Sequence, residues 1–134
     1  MEHKEDKNII NAAGILLLSI ANADHNIEKE EIRLIKEIME DFFSLQKEDA
    51  YEAIENAIID FKKSTSFFQY SQILNKNFSY QDKLDFIFCI FEVAYVDKEL
   101  HFMEQHLIKN IEYFLYQNNT SLFITFQLKL LTII

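Results

Sequence analysis

Apolar residues recur at helical spacing through most of the chain, with polar residues between them. The spacing predicts a first helix from about Glu5 to Ala23, with Gly14 inside it. A glycine there costs about 1 kcal/mol relative to alanine, and the close approach of a neighbouring helix would explain it. A second helix is predicted by the apolar series Ile32, Ile35, Ile38, Met39 and Phe42, and a third begins at Lys47 after a break at Ser44–Gln46.

The rest of the chain predicts shorter elements. A fourth helix passes through Ile73 and Leu74, with capping hydroxyls offered by Ser64, Thr65 and Ser66. Ser79, with Asp82 three residues later, predicts the start of a fifth helix. Its body from Leu84 to Val96 is apolar nearly all round, which is typical of a central helix. A sixth helix is predicted by Leu107, Ile108, Ile111, Phe114 and Leu115. The last stretch, Leu122–Ile134, alternates apolar and polar residues as a strand would.

An internal repeat decides the interpretation of that last stretch. The pattern D-x-x-[IL]-x-x-x-E occurs at Asp24–Glu31 and again at Asp97–Glu104, 73 residues later, and the sequence L-I-K-x-I follows both copies. The same shift places the apolar face of the third helix on apolar residues, including Ala50 on Phe123, Ala53 on Phe126 and Ala57 on Leu130. The tail is therefore interpreted as a seventh helix. The sequence predicts one all-α domain over residues 1–134, with about seven helices and a pseudo-two-fold repeat of roughly 9–63 and 79–134.

Composition supports this fold and narrows the function. The 134 residues include one Gly and no Pro, so the turns of a many-stranded sheet protein would be hard to build. A net charge of −9 disfavours nucleic-acid binding and fits a basic partner or a cation. Cys89 is the single cysteine, interpreted as a buried thiol in a reducing compartment. The acidic start of the chain disfavours a signal peptide, and no apolar run is long enough for a transmembrane segment. We therefore expect a cytoplasmic protein.

The acidic turns allow two main hypotheses. In the first, Glu31 and Glu104 occupy the third position of their helices and accept backbone N–H groups, while Asp24 and Asp97 stabilise the tight turns. In the second, these four carboxylates bind a hard divalent cation, Ca²⁺ or Mg²⁺. The spacing matches the second half of an EF-hand loop, but most earlier ligands of such a loop are missing.

Other chemistry has weaker support in the sequence. A zinc or nickel site can be drawn from His25, His101, Glu104 and His106, but the spacing fits exposed surface histidines better. No phosphate loop, H-E-x-x-H sequence or nucleophile beside a base is present, so no catalytic residues are predicted.

The two acidic turns resemble the signature turns of a known domain. Ile20–Asp24 with Glu31, and Val93–Asp97 with Glu104, are similar to those of the TerB-like domain, found in the tellurite-resistance protein TerB and in DjlA-type co-chaperones. The resemblance covers most of the chain. It implies a bundle of about seven helices in the bacterial cytoplasm, sometimes near the inner membrane. It also implies action through protein partners, a suggested cation-binding role for the acidic turns, and no catalysis.

Two departures from the family pattern concern the turns themselves. The family's glycine after the aspartate is replaced by His25 and Lys98, which adopt a left-handed backbone less readily. The small or polar residue before the helix is replaced by Glu28 and His101, which are poorer N-caps. These changes affect the expected cation chemistry more than the expected fold.

The sequence thus predicts a non-enzymatic TerB-like domain that works through protein contacts in a stress, tellurite or other chemical resistance system. Phe123, Phe126 and Leu130 are the predicted partner-binding residues, and the same apolar tail could form a homodimer. Any peripheral membrane association is expected through a partner. The alternatives are a divalent-cation-binding protein, or an acidic inhibitor or immunity protein that blocks a basic toxin.

Overall fold

The computed structural model describes residues 4–21, 28–64 and 66–94, and these are all-α. They form five helices, listed here in chain order: α1 (Lys4–Ala21), α2 (Lys29–Phe43), α3 (Lys47–Lys63), α4 (Phe68–Asn77) and α5 (Tyr80–Ala94). The predicted all-α class is confirmed for this part of the chain. The predicted sixth and seventh helices lie outside the described residues, so the count of seven and the two-fold repeat stay predictions.

Helix α1 is the centre of the described core. Every residue from Ala12 to Ala21 is buried, and the helix packs against α2, α3, α4 and α5. The one hydroxyl in this stretch is satisfied, because Ser19 Oγ donates to the carbonyl of Leu16 at 2.6 Å. The sequence predicted a central position for the fifth helix instead. Within the described residues α5 is buried on one side, through residues such as Phe86 and Ile90, while its Glu92 is exposed.

Gly14 lies where α1 packs closely against α3. A methyl group added at Gly14 would be 3.0 Å from the Cβ of Ala57 and 3.3 Å from the Cε of Met39. Such distances are shorter than ordinary carbon–carbon contacts, so a larger residue would push the helices apart. The predicted reason for a glycine inside the first helix is therefore confirmed.

Aromatic side chains join α2 to α5 and to the connection between α4 and α5. The ring of Phe42 lies 5.3 Å from that of Phe78 and 5.8 Å from that of Phe86, and the last two rings are 5.6 Å apart. These separations are typical of tilted and edge-to-face aromatic pairs, each of which contributes about 0.5–1.5 kcal/mol beyond the burial of its surface. The cluster fixes the C-terminal end of α2 against the connection between α4 and α5.

Local sequence explains where several of the helices end and begin. Ser44 adopts a left-handed backbone with φ 54° and ends α2, as the predicted break requires. At α5 the predicted capping box is present, since Asp82 N–H donates to Ser79 Oγ at 3.1 Å and Ser79 N–H donates to Asp82 Oδ2 at 3.2 Å.

The predicted capping of α4 is only partly right. The N-cap residue is Phe67, whose side chain makes no capping bond. Ser66 Oγ accepts a long bond of 3.4 Å from Phe68 N–H, while Ser64 Oγ donates to the carbonyl of Asp60 at 2.7 Å. Ser64 thus ends α3 rather than starting α4, because its hydroxyl reaches back one turn.

Exchanging the two small residues at the α1–α3 contact tests its importance. We expect Gly14→Ala to lower the free energy of unfolding by about 1 kcal/mol, because overpacking outweighs the gain in helix propensity. Ala57→Gly should also be destabilising. The double variant, which moves the methyl group to the other helix, should be at least about 1 kcal/mol more stable than the sum of the single effects predicts. Urea unfolding measures all four proteins.

The control combines Gly14→Ala with Ala53→Gly. Ala53 is a half-buried alanine on α3, the helix that also contains Ala57. That pair should show a smaller coupling, since the new space opens elsewhere on α3. If the changes in the free energy of unfolding caused by Gly14→Ala and Ala57→Gly were additive, the size of one residue would not restrict the size of the other, and the proposed contact would be contradicted.

Candidate functional site

The first turn of α2 contains the one predicted site residue that the structure describes. Glu31 occupies the third position of α2 and completes a capping box, with the Glu28 N–H donating to Glu31 Oε1 at 3.1 Å. Only 7% of Glu31 is exposed, whereas Glu28, Lys29 and Glu30 are exposed. A carboxylate at this position also faces the positive end of the helix dipole. Glu31 therefore has the helix-starting role that the first hypothesis predicted.

The other predicted site residues lie outside the described part of the chain. They are Asp24, Asp97 and Glu104 of the cation hypothesis, and Phe123, Phe126 and Leu130 of the partner hypothesis. Within residues 4–21, 28–64 and 66–94 there is no group of three or more His, Cys, Asp or Glu side chains that could hold a metal ion. Both hypotheses stay predictions.

An open apolar cavity of about 690 Å³ lies beside the start of α2. The described residues that line it come from α1, α2, α3 and the α3–α4 connection: Leu18, Ile32, Ile58, Phe61, Lys62, Ser64 and Phe67. Its volume falls in the range of about 300–1,000 Å³ that is common for ligand sites. The sequence missed this cavity, because helical spacing assigns Ile32, Ile58 and Phe61 to apolar faces without showing where neighbouring helices separate.

Polar side chains connect α1, α3 and α4, and one of them lines this cavity. Asn11 Nδ2 on α1 donates to Asp60 Oδ2 on α3 at 2.8 Å. Ser64, which lines the cavity, lies with its Oγ 2.9 Å from the hydroxyl of Tyr70 on α4. Asn11 Oδ1 is buried and accepts no hydrogen bond from the described residues. The Asp60 contact fixes the orientation of the Asn11 amide, because only its NH₂ group can donate to a carboxylate.

The outer face of α3, defined as Glu48, Tyr51, Glu52, Glu55 and Ile59, combines apolar and acidic side chains. Tyr51 is 59% exposed and Ile59 is 52% exposed, and the three acids are exposed as well. Tyr51, Glu55 and Ile59 follow one another at intervals of four residues, so they form one stripe along the helix. The sequence showed the acids, but the exposure of these two apolar residues required the structure.

Cys89 on α5 is half-buried and has an unreactive thiol. Burial, together with the nearby carboxylates of Glu92, Asp85 and Asp41, raises its pKa to about 12. Since the thiolate is the nucleophilic form, the protein holds almost none of it at neutral pH. The structure thus agrees with the interpretation of Cys89 as a small apolar residue, although it is less buried than the sequence predicted.

Comparison with known proteins gives one family. The family model described as "Tellurite resistance protein TerB" matches residues 11–124, and the chain therefore belongs to the TerB family. No curated protein and no solved structure matches the chain. None of the described helices has both the length and the apolar character that crossing a bilayer requires.

Removing the Glu31 carboxylate should weaken the start of α2. We expect Glu31→Ala to lower the free energy of unfolding by about 1 kcal/mol, because the Glu28 N–H loses its acceptor. Glu31→Gln keeps an acceptor oxygen and should lose less. Glu30→Ala, at the exposed neighbouring position, is the control and should stay within about 0.5 kcal/mol of the wild type. Equal effects of Glu31→Ala and Glu30→Ala in urea unfolding would contradict the capping role.

Proposed function

We propose that this TerB-family chain acts in a bacterial tellurite or chemical stress response by binding a protein partner, and that it is not an enzyme. The name of the matching family model supports the choice of tellurite. The observation that best supports a protein partner is the outer face of α3. There, two large apolar side chains are exposed among carboxylates instead of being packed in the core.

The chemistry of this face indicates what kind of partner would fit it. Tyrosine is enriched at protein interfaces because it offers a large contact area with few rotatable bonds and a polar tip. Burying Tyr51 and Ile59 under a partner would add the hydrophobic term, at about 25 cal/mol for each Å² of apolar surface removed from water. The acids around them favour a basic partner surface and speed its approach. The net charge of −9 acts in the same direction at longer range.

The Glu31 geometry bears on the competing cation hypothesis. The Oε1 atom of this carboxylate already accepts a backbone N–H, and a cation would compete with that bond if it used the same oxygen atom. A protein-binding role requires no such competition. It uses exposed residues of α3 whose replacement leaves the described core intact.

Charge reversal on α3 tests the proposal. In a bacterium that lacks its own copy of the gene, the wild-type protein should restore growth on tellurite and recover a partner by affinity capture from the native lysate. The variant Glu52→Lys with Glu55→Lys should restore neither growth nor partner capture, because the new lysines would repel the basic surface that the wild-type carboxylates attract. Capture by the wild type should also weaken as salt is raised.

The matched control is Glu30→Lys with Glu37→Lys on α2, which changes the net charge equally at exposed positions. It should retain growth and capture. Wild-type growth and capture by the α3 variant would contradict the proposed surface, whereas equal loss in both variants would show an effect of net charge alone.

A further inference from the structure

The open cavity beside α2 combines an apolar lining with a cationic edge. Five of the seven described residues that line it are apolar: Leu18, Ile32, Ile58, Phe61 and Phe67. Leu18 is fully buried and the other four are half-buried. Lys62 is the one charged residue among the described lining residues, and it is exposed. The cavity therefore offers an apolar ligand a wall to pack on and places a positive charge at its opening.

A second lysine is placed at the cavity in the same way as Lys62. On α3, Lys62 follows the lining residue Ile58 by four positions, and on α2, Lys36 follows the lining residue Ile32 by four positions. Residues four apart lie on one face of a helix, and a helical side chain covers the turn before its own Cα. Each lysine is therefore placed to cover an isoleucine with its alkyl stem and to hold its ammonium group at the solvent edge. Lys36 is half-buried, which agrees with a packed stem.

Two other polar groups near the cavity are already bonded within the protein. The Ser64 hydroxyl donates to the carbonyl of Asp60 at 2.7 Å and lies 2.9 Å from the hydroxyl of Tyr70. The Asp60 carboxylate accepts a hydrogen bond from the Asn11 amide at 2.8 Å. Recognition of the polar end of a ligand therefore falls to the ammonium groups of Lys36 and Lys62.

We propose that this cavity binds one amphipathic anion, a free alkyl carboxylate, with its chain among Leu18, Ile58 and Phe61 and its carboxylate between Lys36 and Lys62. The chain gains free energy by leaving water, and two ammonium groups favour an anionic head over a neutral one. A volume of about 690 Å³ lined mainly by apolar and aromatic side chains is typical of small-molecule sites. None of the five residues of the outer face of α3 lines the cavity, so this proposal and the proposed function can fail independently.

Isothermal titration calorimetry of the full chain with decanoate, octanoate and decanol tests both parts of the site. Decanoate should bind with one molecule per chain. Octanoate should bind about fifteenfold more weakly, because each buried CH₂ group changes the affinity by about fourfold. Decanol, which has the same number of carbon atoms and no charge, should bind about tenfold more weakly than decanoate. No binding of decanoate, several equivalent sites, or equal affinities for decanoate and decanol would overturn the proposal.

Removing the two charges tests the assignment of the head group. Lys36→Gln with Lys62→Gln should weaken decanoate binding about tenfold and leave decanol binding unchanged, because the stems remain and the charges are lost. The matched control, Lys47→Gln with Lys76→Gln, removes the same charge at exposed positions at the start of α3 and the end of α4. It should bind decanoate as the wild type does. Equal weakening in both double variants would contradict a site at Lys36 and Lys62.

Filling the cavity tests the assignment of the alkyl chain. Ile58→Trp places a larger side chain at a half-buried lining position and should weaken the binding of decanoate and decanol alike. Wild-type affinities for both ligands in this variant would show that the chain binds elsewhere and would overturn the proposal.

Vesicles of phosphatidylglycerol distinguish a free carboxylate from a membrane surface, which also presents alkyl chains with anionic heads. The wild-type chain should remain in the supernatant when such vesicles are sedimented, because the ligand is a single free molecule. Sedimentation of the chain with the vesicles, without calorimetric binding of decanoate, would assign the lysines to a membrane surface and overturn the proposal.

Discussion

The close packing of α1 against α3 is the constraint on which the rest of the described structure depends. With Gly14 against Ala57 there is no space for another methyl group, and Met39 of α2 closes the same contact from a third side. A helix held so closely on one side, and buried from Ala12 to Ala21, positions every element that packs on it. Because the polar groups in this region are few, the alignment of α1 with α3 also depends on the Asn11–Asp60 hydrogen bond.

The features of functional interest lie at the edges of this core. The start of α2 is fixed by Glu31, the cavity beside it is bordered by Ile32 and Phe61, and the outer face of α3 points away from α1. Helix α3 meets Gly14 of α1 with Ala57 and buries Ile54 in the core, whereas its apolar residues Tyr51 and Ile59 lie on its exposed side. The same helix therefore supplies both a close internal contact and, among the described residues, the two most exposed large apolar side chains.

The sequence predicted those features that depend on local chemistry. The capping box of Ser79 and Asp82, the helix-starting role of Glu31 and the break at Ser44 each involve residues within a few positions of one another. The family resemblance was also correct, because the motifs of the two acidic turns are local patterns. Even the close approach at Gly14 was expected, although its partner on α3 was not identified.

Apart from the close approach at Gly14, features that depend on how helices meet were not predicted. Hydrophobic periodicity ranks α5 above α1 as the central helix, because it measures how apolar a segment is and not how many neighbours enclose it. The cavity beside α2 arises where four elements diverge, so no single periodic pattern indicates it. The start of α4 was misjudged because Ser64, which looked like a cap, binds the preceding turn and Tyr70 instead.

Native-state hydrogen exchange tests most directly whether α1 is the element on which the described core depends. The amides from Leu16 to Ile20 should exchange only through global unfolding, with a free energy equal to that from urea unfolding, because opening α1 exposes every contact around it. Amides near the ends of α3 and α4 should exchange through smaller openings. Exchange of the Leu16–Ile20 amides at a lower free energy than those of α2 and α3 would contradict this account.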